Sequence, residues 1–356
     1  MKMIKRKRTR KIKVGNIRIG GFEPVRVQSM TNTDTRDVAK TVRQIKQLEK
    51  VGCEIVRMAV PDMKAAKAIS KIKAKVDAPL VADIHFSADL ALESIRQGID
   101  KLRINPGNIA PKEKMEEIAR ECKKKRIPIR IGVNGGSLEK DILKKYKGKV
   151  TASGMVDSAM RHIKILEKFN FKDIAISLKA SDIERTVEAY RKLSKKVNYP
   201  LHVGITEAGT KFRGTIMSSI GIGMLLYEGI GDTIRVSLTD DPVEEVPVAW
   251  EMLSCLNLRQ TKPTVTSCPT CGRTEINLLK LVKQVEKIVE KFPKHIHIAV
   301  MGCVVNGPGE AREADIAVIG GRGCGLICRK GKIIKRADEK DLLKEFKKEL
   351  QKELKD

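Results

Sequence analysis

Eight short runs rich in β-branched residues alternate with segments of helical period along the first 240 residues. One helical segment, 35–52, stops at Gly52, and another, 182–197, opens on Asp182, a favourable N-cap residue. The apolar runs are 25–30, 53–60, 79–86, 101–107, 127–134, 173–180, 200–209 and 232–240. Strict alternation of strand and helix predicts a parallel sheet, and eight repeats are the number that closes a (β/α)8 TIM barrel. The alternative, an open doubly wound sheet, would carry a glycine-rich turn after its first strand, where this chain reads QSMTNTDT.

The two ends of the chain follow other patterns. Residues 11–21 alternate with period two around Gly15 and Asn16, which predicts a β-hairpin that closes the bottom of the barrel. After an eighth helix over 241–258, the chain reads as a strand, a CxxC turn, a helix, three more strands and a charged helix, with the last strand in GLICRKGKIIKR. We therefore expect a barrel over residues 1–260 and a smaller α/β domain over 261–356.

The net charge of +27 would suit a nucleic-acid partner, but its distribution does not. Lysines are spread along the chain and mixed with glutamates, as in EKMEEIARECKKKR, which is typical of solvated helix faces. Aromatic residues make up only 3%, which leaves few side chains for base stacking. We expect no nucleic acid and no membrane partner, since no apolar run is long enough to span a bilayer. The basic N-terminus has no apolar stretch of a secretory signal, so we expect a cytoplasmic protein whose eight cysteines serve metal or redox chemistry.

Cations occur on the predicted strands, where a sheet covered on both faces should be apolar. These cations are Arg57, Arg103, Arg130, Lys179 and Arg235. Polar residues follow on the same face two positions later, namely Asn105, Asn134 and Ser237, and the third strand shows the same spacing with Asp83 and His85. All should point inward at the barrel mouth, where TIM-barrel enzymes have their active sites. The inward carboxylates we expect, Asp83 and Glu207, are too few to balance five cations, which predicts a small substrate with more than one phosphate.

Glu207, in GITEAG at the end of the seventh predicted strand, allows two interpretations. It could balance the charge of the neighbouring cations, or it could transfer a proton to a leaving or forming hydroxyl.

A metal site is indicated by Cys268 and Cys271, which flank Pro-Thr and precede a glycine. One completion is a structural zinc ribbon that uses Cys324 and Cys328. The other uses Cys303, which runs into a predicted tight turn over 306–309 that would bring Glu310 to the same centre. Three thiolates and one exchangeable carboxylate suit a cubane iron–sulfur cluster with one loosely held iron.

The segments MGCVVNGPGEAREADIAVIGG, SCPTCGRTEINL and VQSMTNTDTRD closely resemble the bacterial 4-hydroxy-3-methylbut-2-enyl diphosphate synthases of the methylerythritol phosphate isoprenoid pathway. The resemblance implies a TIM barrel followed by a [4Fe–4S] domain. It also implies that 2-C-methyl-D-erythritol 2,4-cyclodiphosphate is opened reductively with loss of water, by two electrons that arrive singly from ferredoxin or flavodoxin. Members of the family are homodimers in which the cluster domain of one chain covers the barrel mouth of the other.

The same resemblance assigns roles to individual residues. The implied cluster ligands are Cys268, Cys271, Cys303 and Glu310, whereas Cys324 and Cys328 are not ligands in the family. Thr206 and Glu207 match positions near the reacting carbons, and Asn306 matches one beside the cluster. The implied diphosphate contacts are Arg57, Arg103, Arg130, Asn134, Lys179 and Arg235, with Asn105, Ser237 and His85 close by.

Overall fold

The structure of the protein is a computed structural model that describes residues 4–111, 113–290, 292–304 and 307–353. It divides into two compact units, Met1–Arg259 and Gln260–Asp356. Each is described by itself below.

The first unit is built on eight parallel strands that form a closed barrel. Their order is β8-β7-β6-β5-β4-β3-β10-β9, and a parallel bridge between Ile176 and Leu201 joins the first strand of this order to the last. The prediction of a TIM barrel is thus confirmed. The barrel strands are β3 (Arg26–Met30), β4 (Ile55–Ala59), β5 (Leu80–Asp83), β6 (Lys101–Ile104), β7 (Ile129–Asn134), β8 (Ile174–Lys179), β9 (His202–Val203) and β10 (Thr233–Ile234).

Nine α-helices lie in the described part of this unit, and five of them begin at a residue whose side chain caps the helix. Asp182 caps α7 as predicted, because its side chain accepts a hydrogen bond from the backbone N–H of Arg185 at 2.8 Å. Gly52, which follows α1, adopts a φ of +94°, a conformation that a side chain would strain. The helices are α1 (Val38–Lys50), α2 (Met63–Lys73), α3 (Ala88–Arg96), α4 (Lys114–Lys125), α5 (Lys140–Lys145), α6 (Ala152–Lys168), α7 (Ile183–Ser194), α8 (Lys211–Tyr227) and α9 (Glu245–Cys255).

The predicted hairpin forms from β1 (Ile12–Val14) and β2 (Ile17–Ile19). Its apolar side chains pack against Ile55, Val81 and Ala175, which face the barrel interior near the starts of their strands. The hairpin therefore closes the bottom of the barrel, as expected, and leaves the opposite end for the polar side chains.

The last two barrel strands are much shorter than the predicted runs 200–209 and 232–240. After Val203 and Ile234 the chain leaves the sheet, so residues 204–209 and 235–240 belong to loops at the mouth. Gly204 marks this departure, because a Cβ atom there would lie 2.5 Å from the Arg235 carbonyl oxygen and 2.7 Å from Lys179 Nζ. The prediction was wrong in length because apolar residues continue past the point where close packing turns the backbone.

The second unit is a five-stranded sheet in the order β11-β12-β13-β14-β15, with three parallel strands followed by two antiparallel ones. Its strands are β11 (Thr264–Ser267), β12 (His297–Met301), β13 (Ile316–Gly320), β14 (Cys324–Arg329) and β15 (Lys332–Asp338). Its helices are α10 (Leu278–Val289), α11 (Gly307–Glu310) and α12 (Glu339–Lys352).

Two local predictions in this unit were wrong. The segment GLICRKGKIIKR is a hairpin of two strands and not one, because Lys330 and Gly331 take φ values of +47° and +77° and reverse the chain. From Gly307 onward, the predicted tight turn over 306–309 is a short helix, because Gly307 N donates to the Cys303 carbonyl and Ala311 N donates to that of Gly307. Asn306 lies outside the described residues.

None of the helices in the described residues has the length and apolarity needed to cross a membrane.

Candidate active site

A cavity of about 180 Å³ opens at the mouth of the barrel. Nine of the residues that the sequence predicted as substrate contacts line it, together with two that were not assigned to that role, Asp83 and Ser177. The nine are Arg57, His85, Arg103, Arg130, Asn134, Lys179, Thr206, Arg235 and Ser237. The structure therefore brings these side chains together from seven strands or strand ends, although contact with a substrate stays a prediction for each.

Of the two remaining predicted contacts, Asn105 supports the cavity wall. Its Oδ1 accepts a hydrogen bond from the backbone N–H of Gly132 at 2.9 Å. Gly132 in turn leaves room for Arg103, whose Nε would lie 2.2 Å from a Cβ at that position. Asn306 lies outside the described residues.

Asp83 is the inward carboxylate that the sequence predicted. It lies 3.0 Å from Nη1 of Arg103 and 3.6 Å from Nε of Arg57. Burial tends to raise the pKa of Asp83, but the charges of Arg57, Arg103 and Arg130 outweigh burial and lower it. Asp83 is therefore ionised at neutral pH and balances part of the cationic charge.

Glu245 is a second balancing carboxylate, and sequence reasoning missed it. It projects from the first turn of α9, is only 3% exposed, and receives Nε and Nη2 of Arg235 at 3.3 Å each. Ser29 Oγ and the backbone N–H of Leu238 also donate to it, at 2.8 and 3.1 Å. The acidic segment DPVEEVP after the eighth strand was the available signal.

Glu207 does not have the position that we expected. Its side chain is exposed and is not among the residues that line the cavity, so it does not balance the inward cations. Its backbone adopts a φ of +54°, which is uncommon for a residue with a side chain and turns Glu207 away from the strand direction. A loop conformation of this kind leaves no trace in the strand pattern.

The cavity therefore has an excess of positive charge. Five cations face it, whereas Asp83 and Glu245 are the carboxylates that pair with them among the described residues. Arg130 shows the excess best, because it is 1% exposed and only its Nη1 has a partner, Ser177 Oγ at 2.9 Å. Its Nε and Nη2 have no hydrogen-bond partner in the part of the chain that the structure describes. Counted as fully protonated, the cations exceed these carboxylates by three, and such an excess around so small a cavity favours the binding of a multivalent anion.

The same excess changes the protonation of the buried cations. Burial lowers the pKa of Arg57 to about 10. The Asp83 charge opposes this shift, whereas the charges of Arg235 and Arg103 add to it. Burial also lowers the pKa of Lys179 well below its ordinary value, and the neighbouring guanidinium groups of Arg235 and Arg57 lower it further. Binding an anion would reverse these shifts, so ligand affinity and protonation are linked at this site.

Replacing Glu245 with glutamine is expected to lower the free energy of unfolding by roughly 3 kcal/mol, since it leaves Arg235 buried without its charge partner. Chemical denaturation at pH 7 measures the loss. The matched control is Glu244→Gln, because Glu244 is half-exposed and pairs only with the exposed Lys211, and it should change stability by less than about 0.5 kcal/mol. Equal stability of the two variants would show that Glu245 does not balance the cavity charge.

The thiols of Cys268 and Cys303 follow adjacent strands at one edge of the second unit's sheet. Cys268 follows β11 and Cys303 follows β12, and these strands are parallel neighbours. Cys268 N donates to the Val300 carbonyl, and Gly302 N lies 3.3 Å from Cys268 Sγ. The two cysteines therefore follow adjacent strand ends, and all eight cysteines of the chain carry free thiols.

Backbone donors favour thiolates at this edge. The backbone N–H of Arg273 holds the pKa of the exposed Cys271 thiol below its ordinary value, and the Arg273 charge and Thr274 add to the effect. Thiolate is the form that binds metals, so the lowered pKa favours Cys271 as a metal ligand, and three cysteines are the ligand type that an iron–sulfur cluster takes.

Within the described residues, no three His, Cys, Asp or Glu side chains converge closely enough to hold a metal ion. Glu310 ends α11 and is exposed, and the segment between Val304 and Gly307 lies outside the described residues. The structure thus places the three thiols in one unit with Glu310 but does not bring the four into one ligand set.

The zinc ribbon that the sequence left open is contradicted by the geometry of β14. Cys324 and Cys328 are the first and fifth residues of this strand, so their Cα atoms are separated by about 13 Å. Two thiolates on one zinc ion approach within about 4 Å of each other. Cys328 is also fully buried, in an apolar cluster with Ala317 and Leu326. These two cysteines therefore do not bind the same ion.

Both units match one protein family. Residues 9–250 match the description "GcpE TIM-barrel domain", and residues 264–352 match "GcpE protein C-terminal domain". A protein of Clostridium acetobutylicum named 4-hydroxy-3-methylbut-2-en-1-yl diphosphate synthase (flavodoxin) is 60% identical over 342 residues, which cover 96% of this chain and 98% of that protein. A protein of the same name from Thermodesulfovibrio yellowstonii is 57% identical, covering 98% of this chain and all of that protein.

The barrel also resembles solved structures of other enzymes. Dihydropteroate synthase from Stenotrophomonas maltophilia superposes with a TM-score of 0.51 over 69% of this chain and 97% of that one, at 10% identity. Identity this low shows a common barrel fold and no more.

Proposed function

This chain belongs to the family of 4-hydroxy-3-methylbut-2-en-1-yl diphosphate synthases, and we propose that it catalyses their reaction. In that reaction 2-C-methyl-D-erythritol 2,4-cyclodiphosphate takes up two electrons and protons, loses one oxygen as water, and becomes 4-hydroxy-3-methylbut-2-enyl diphosphate. The observation that supports this function best is the barrel cavity with three positive charges in excess of its carboxylates.

The cavity residues would bind both phosphates and stabilise the charge that develops between them. Opening the ring converts a bridging ester oxygen into a terminal phosphate oxygen, so the ligand gains about one negative charge. Arg130 and Lys179 are already fixed by burial and need little rearrangement to receive it. Donors held in place before the charge develops are the most effective form of electrostatic catalysis.

We propose Cys268, Cys271, Cys303 and Glu310 as the ligands of a [4Fe–4S] cluster, which when bound would supply single electrons and a Lewis-acidic iron. The three cysteines provide the soft, permanent ligands. Glu310 would be the exchangeable one, because a carboxylate is a hard ligand that an incoming oxygen can replace. Its exposed position at the end of α11 is compatible with this exchange.

Glu207 and Thr206 would act near the reacting carbons. The positive φ of Glu207 is a strained conformation, and strain of this kind concentrates at functional sites. Thr206 lines the cavity, whereas the Glu207 carboxylate is exposed outside it, so Glu207 would deliver a proton only after its carboxylate moves to the bound ligand and takes up a proton itself.

The electron donor is flavodoxin in the names of the relatives, and we propose flavodoxin for this chain, with ferredoxin as the alternative. A basic protein of net charge +27 would attract an acidic donor most strongly at low salt. We also propose a cytoplasmic location, which the eight free thiols support. The scattered lysines and the low aromatic content give no support for a nucleic-acid partner.

We further propose that the protein is a homodimer, and α8 supports this. The helix has no charged residue from Gly214 to Tyr227, in a chain that is 32% charged. Among the described residues, a line of large apolar side chains on this helix is exposed: Phe212, Ile216, Ile220, Met224 and Tyr227. A self-complementary apolar face is what a two-fold symmetric interface requires.

Replacing Ile220 with lysine is therefore expected to convert the dimer into a monomer, since it puts a charge in the middle of this face. Light scattering after size exclusion measures the mass. Ile334→Lys is the matched control, because Ile334 is similarly exposed on β15, and this variant should remain dimeric. A dimeric Ile220→Lys variant would remove α8 from the interface.

The metal content tests the function against its nearest rival, a phosphate-binding barrel enzyme with a structural zinc domain. Protein purified under argon should be brown and contain about four iron and four acid-labile sulfide per chain. A colourless protein with one zinc per chain would favour the rival and contradict the proposed function.

A further inference from the structure

A lysine that the proposed reaction does not use lies buried in the barrel below the cavity. Lys101 is the first residue of β6, is fully buried, and points to the same side of its strand as Arg103. Its Nζ has no hydrogen-bond partner in the described part of the chain. Lysines are almost never fully buried unless they are paired, so the position of Lys101 needs an explanation.

The strand register fixes the neighbours of Lys101. A level is here the set of inward residues at the same height along the barrel axis. In an eight-stranded barrel with a shear of eight, the residue at the same height on the next strand is one position beyond the paired residue. The paired positions then place inward side chains in successive levels of four. From the bottom, the levels are Ile55, Lys101, Ala175 and Thr233, then Gln28, Val81, Arg130 and His202, then Arg57, Arg103, Ser177 and Arg235.

Contacts between side chains agree with this order. The ring of His202 lies 2.8 Å from Thr233 Oγ1, which links the two lower levels, and Arg130 Nη1 reaches up to Ser177 in the third. Neither of the two lower levels contains a carboxylate. Asp83 lies above the third level and is already paired with Arg103.

A protonated Lys101 would thus face Arg130 and His202 with no counter-charge. Burial lowers the pKa of Lys101 to about 7, and the charges of Arg130 and Arg57 add to this. Burial also lowers the pKa of His202 well below its ordinary value, with help from Arg130, Lys179 and Lys101, so His202 is neutral. Gln28 on the same level has two unpartnered amide atoms and no charge.

We propose that Lys101 is a positioning residue that takes up a proton when a diphosphate fills the cavity, and that it acts on the ligand through Arg130. The inference rests on the diphosphate site proposed above. Without ligand, Lys101 is mostly neutral above pH 7. A bound diphosphate brings the missing negative charge and makes the protonated form favourable.

The distance is short enough for this coupling. The cavity side chains of the third level lie two residue steps above Lys101, or roughly 5–7 Å along the barrel axis, and Arg130 of the second level also lines the cavity. Unit charges at that distance in a protein interior interact by about 3 kcal/mol, which is enough to move a pKa by roughly two units. At pH 8, binding should then be accompanied by the uptake of close to one proton at Lys101.

Calorimetric titration with inorganic diphosphate at pH 8, in buffers with different ionisation enthalpies, measures this uptake. Lys101→Met should take up close to one proton less than the wild type and bind about tenfold more weakly, and the difference in affinity should shrink as the pH approaches 10. Lys71→Met, at an exposed lysine on α2, is the matched control and should behave like the wild type.

A second variant and two contradicting outcomes make the experiment decisive. The methionine variant should fold, because it removes a group whose protonation in the unfolded chain opposes folding more and more as the pH falls from 10.5 to about 7; if it does not, Lys101→Arg serves instead and should lose the uptake while keeping tight binding. Equal proton uptake by wild type and variant overturns the role of Lys101 but leaves the diphosphate site intact. Failure of the wild type to bind diphosphate overturns both.

Discussion

Replacing Arg130 with methionine is expected to weaken diphosphate binding about a hundredfold while stability holds or rises. Arg130 is 1% exposed, and two of its three guanidinium nitrogens have no hydrogen-bond partner among the described residues. Removing one member of a charged pair that is excluded from water typically costs about 2–5 kcal/mol of binding energy, and a hundredfold loss, about 2.8 kcal/mol, lies in the lower half of this range.

Stability should respond in the opposite direction. In the free protein the buried guanidinium costs solvation energy that Ser177 alone does not recover, and burial lowers the pKa of Arg130 well below its ordinary value. An apolar side chain of similar length avoids that cost, and such replacements are often neutral or stabilising by about 1–4 kcal/mol. Titration calorimetry and thermal unfolding measure the two effects on the same samples.

Arg120→Met is the matched control for this prediction. Arg120 is on α4, and its side chain is 68% exposed, so the variant should leave both diphosphate affinity and stability unchanged. An Arg130→Met protein that binds diphosphate as tightly as the wild type would show that the cationic cavity is not the phosphate site. A large loss of stability would show that the chain itself neutralises Arg130.

Replacing Cys303 with serine is expected to remove most of the iron and to reduce turnover at least a thousandfold. A serine hydroxyl does not ionise near neutral pH and is a hard ligand, so it does not replace a thiolate on iron. Cys268 and Cys303 follow the ends of two neighbouring parallel strands, which supports the proposal that both bind the same centre. Iron, acid-labile sulfide and visible absorption, measured under argon, report the loss independently of activity.

Cys324→Ser is the control that separates the two kinds of metal site. Cys324 is exposed at the start of β14, at the edge of the sheet where Cys268 and Cys303 also lie. Cys328, on the same strand, is too far from Cys324 for the two thiols to bind one ion. The Cys324 variant should keep its full iron content. If the Cys324 variant lost all of its metal while Cys303→Ser kept normal iron, the proposed set of cysteine ligands would be wrong.

The barrel could be predicted from the sequence because its signal is repetitive. Eight apolar runs at regular intervals determine a closed parallel sheet, even when single boundaries are several residues in error, as for β9 and β10. The hairpin β14–β15 was missed because its turn residues, Lys330 and Gly331, lie within a segment that reads as a continuous strand.

Some residues of the candidate site could likewise be predicted from the sequence, and others could not. Cations such as Arg103 and Arg130 could be identified because a charge on a strand that is covered on both faces is an exception to the pattern. Glu245 could not, because it reaches the cavity from a helix, and which helical side chains enter a barrel mouth depends on packing. The exposed position of Glu207 depends on a loop backbone with positive φ, which no periodicity encodes.

The reaction of the reduced protein with the cyclic diphosphate tests the central claim most directly. Protein purified under argon, with its iron and sulfide measured, is reduced and mixed with 2-C-methyl-D-erythritol 2,4-cyclodiphosphate, and phosphorus NMR follows both phosphorus atoms. The account predicts that the cyclic signals are replaced by those of linear 4-hydroxy-3-methylbut-2-enyl diphosphate, with about two electrons consumed per product formed. Substrate that remains cyclic in the presence of a full complement of iron and sulfide would contradict it.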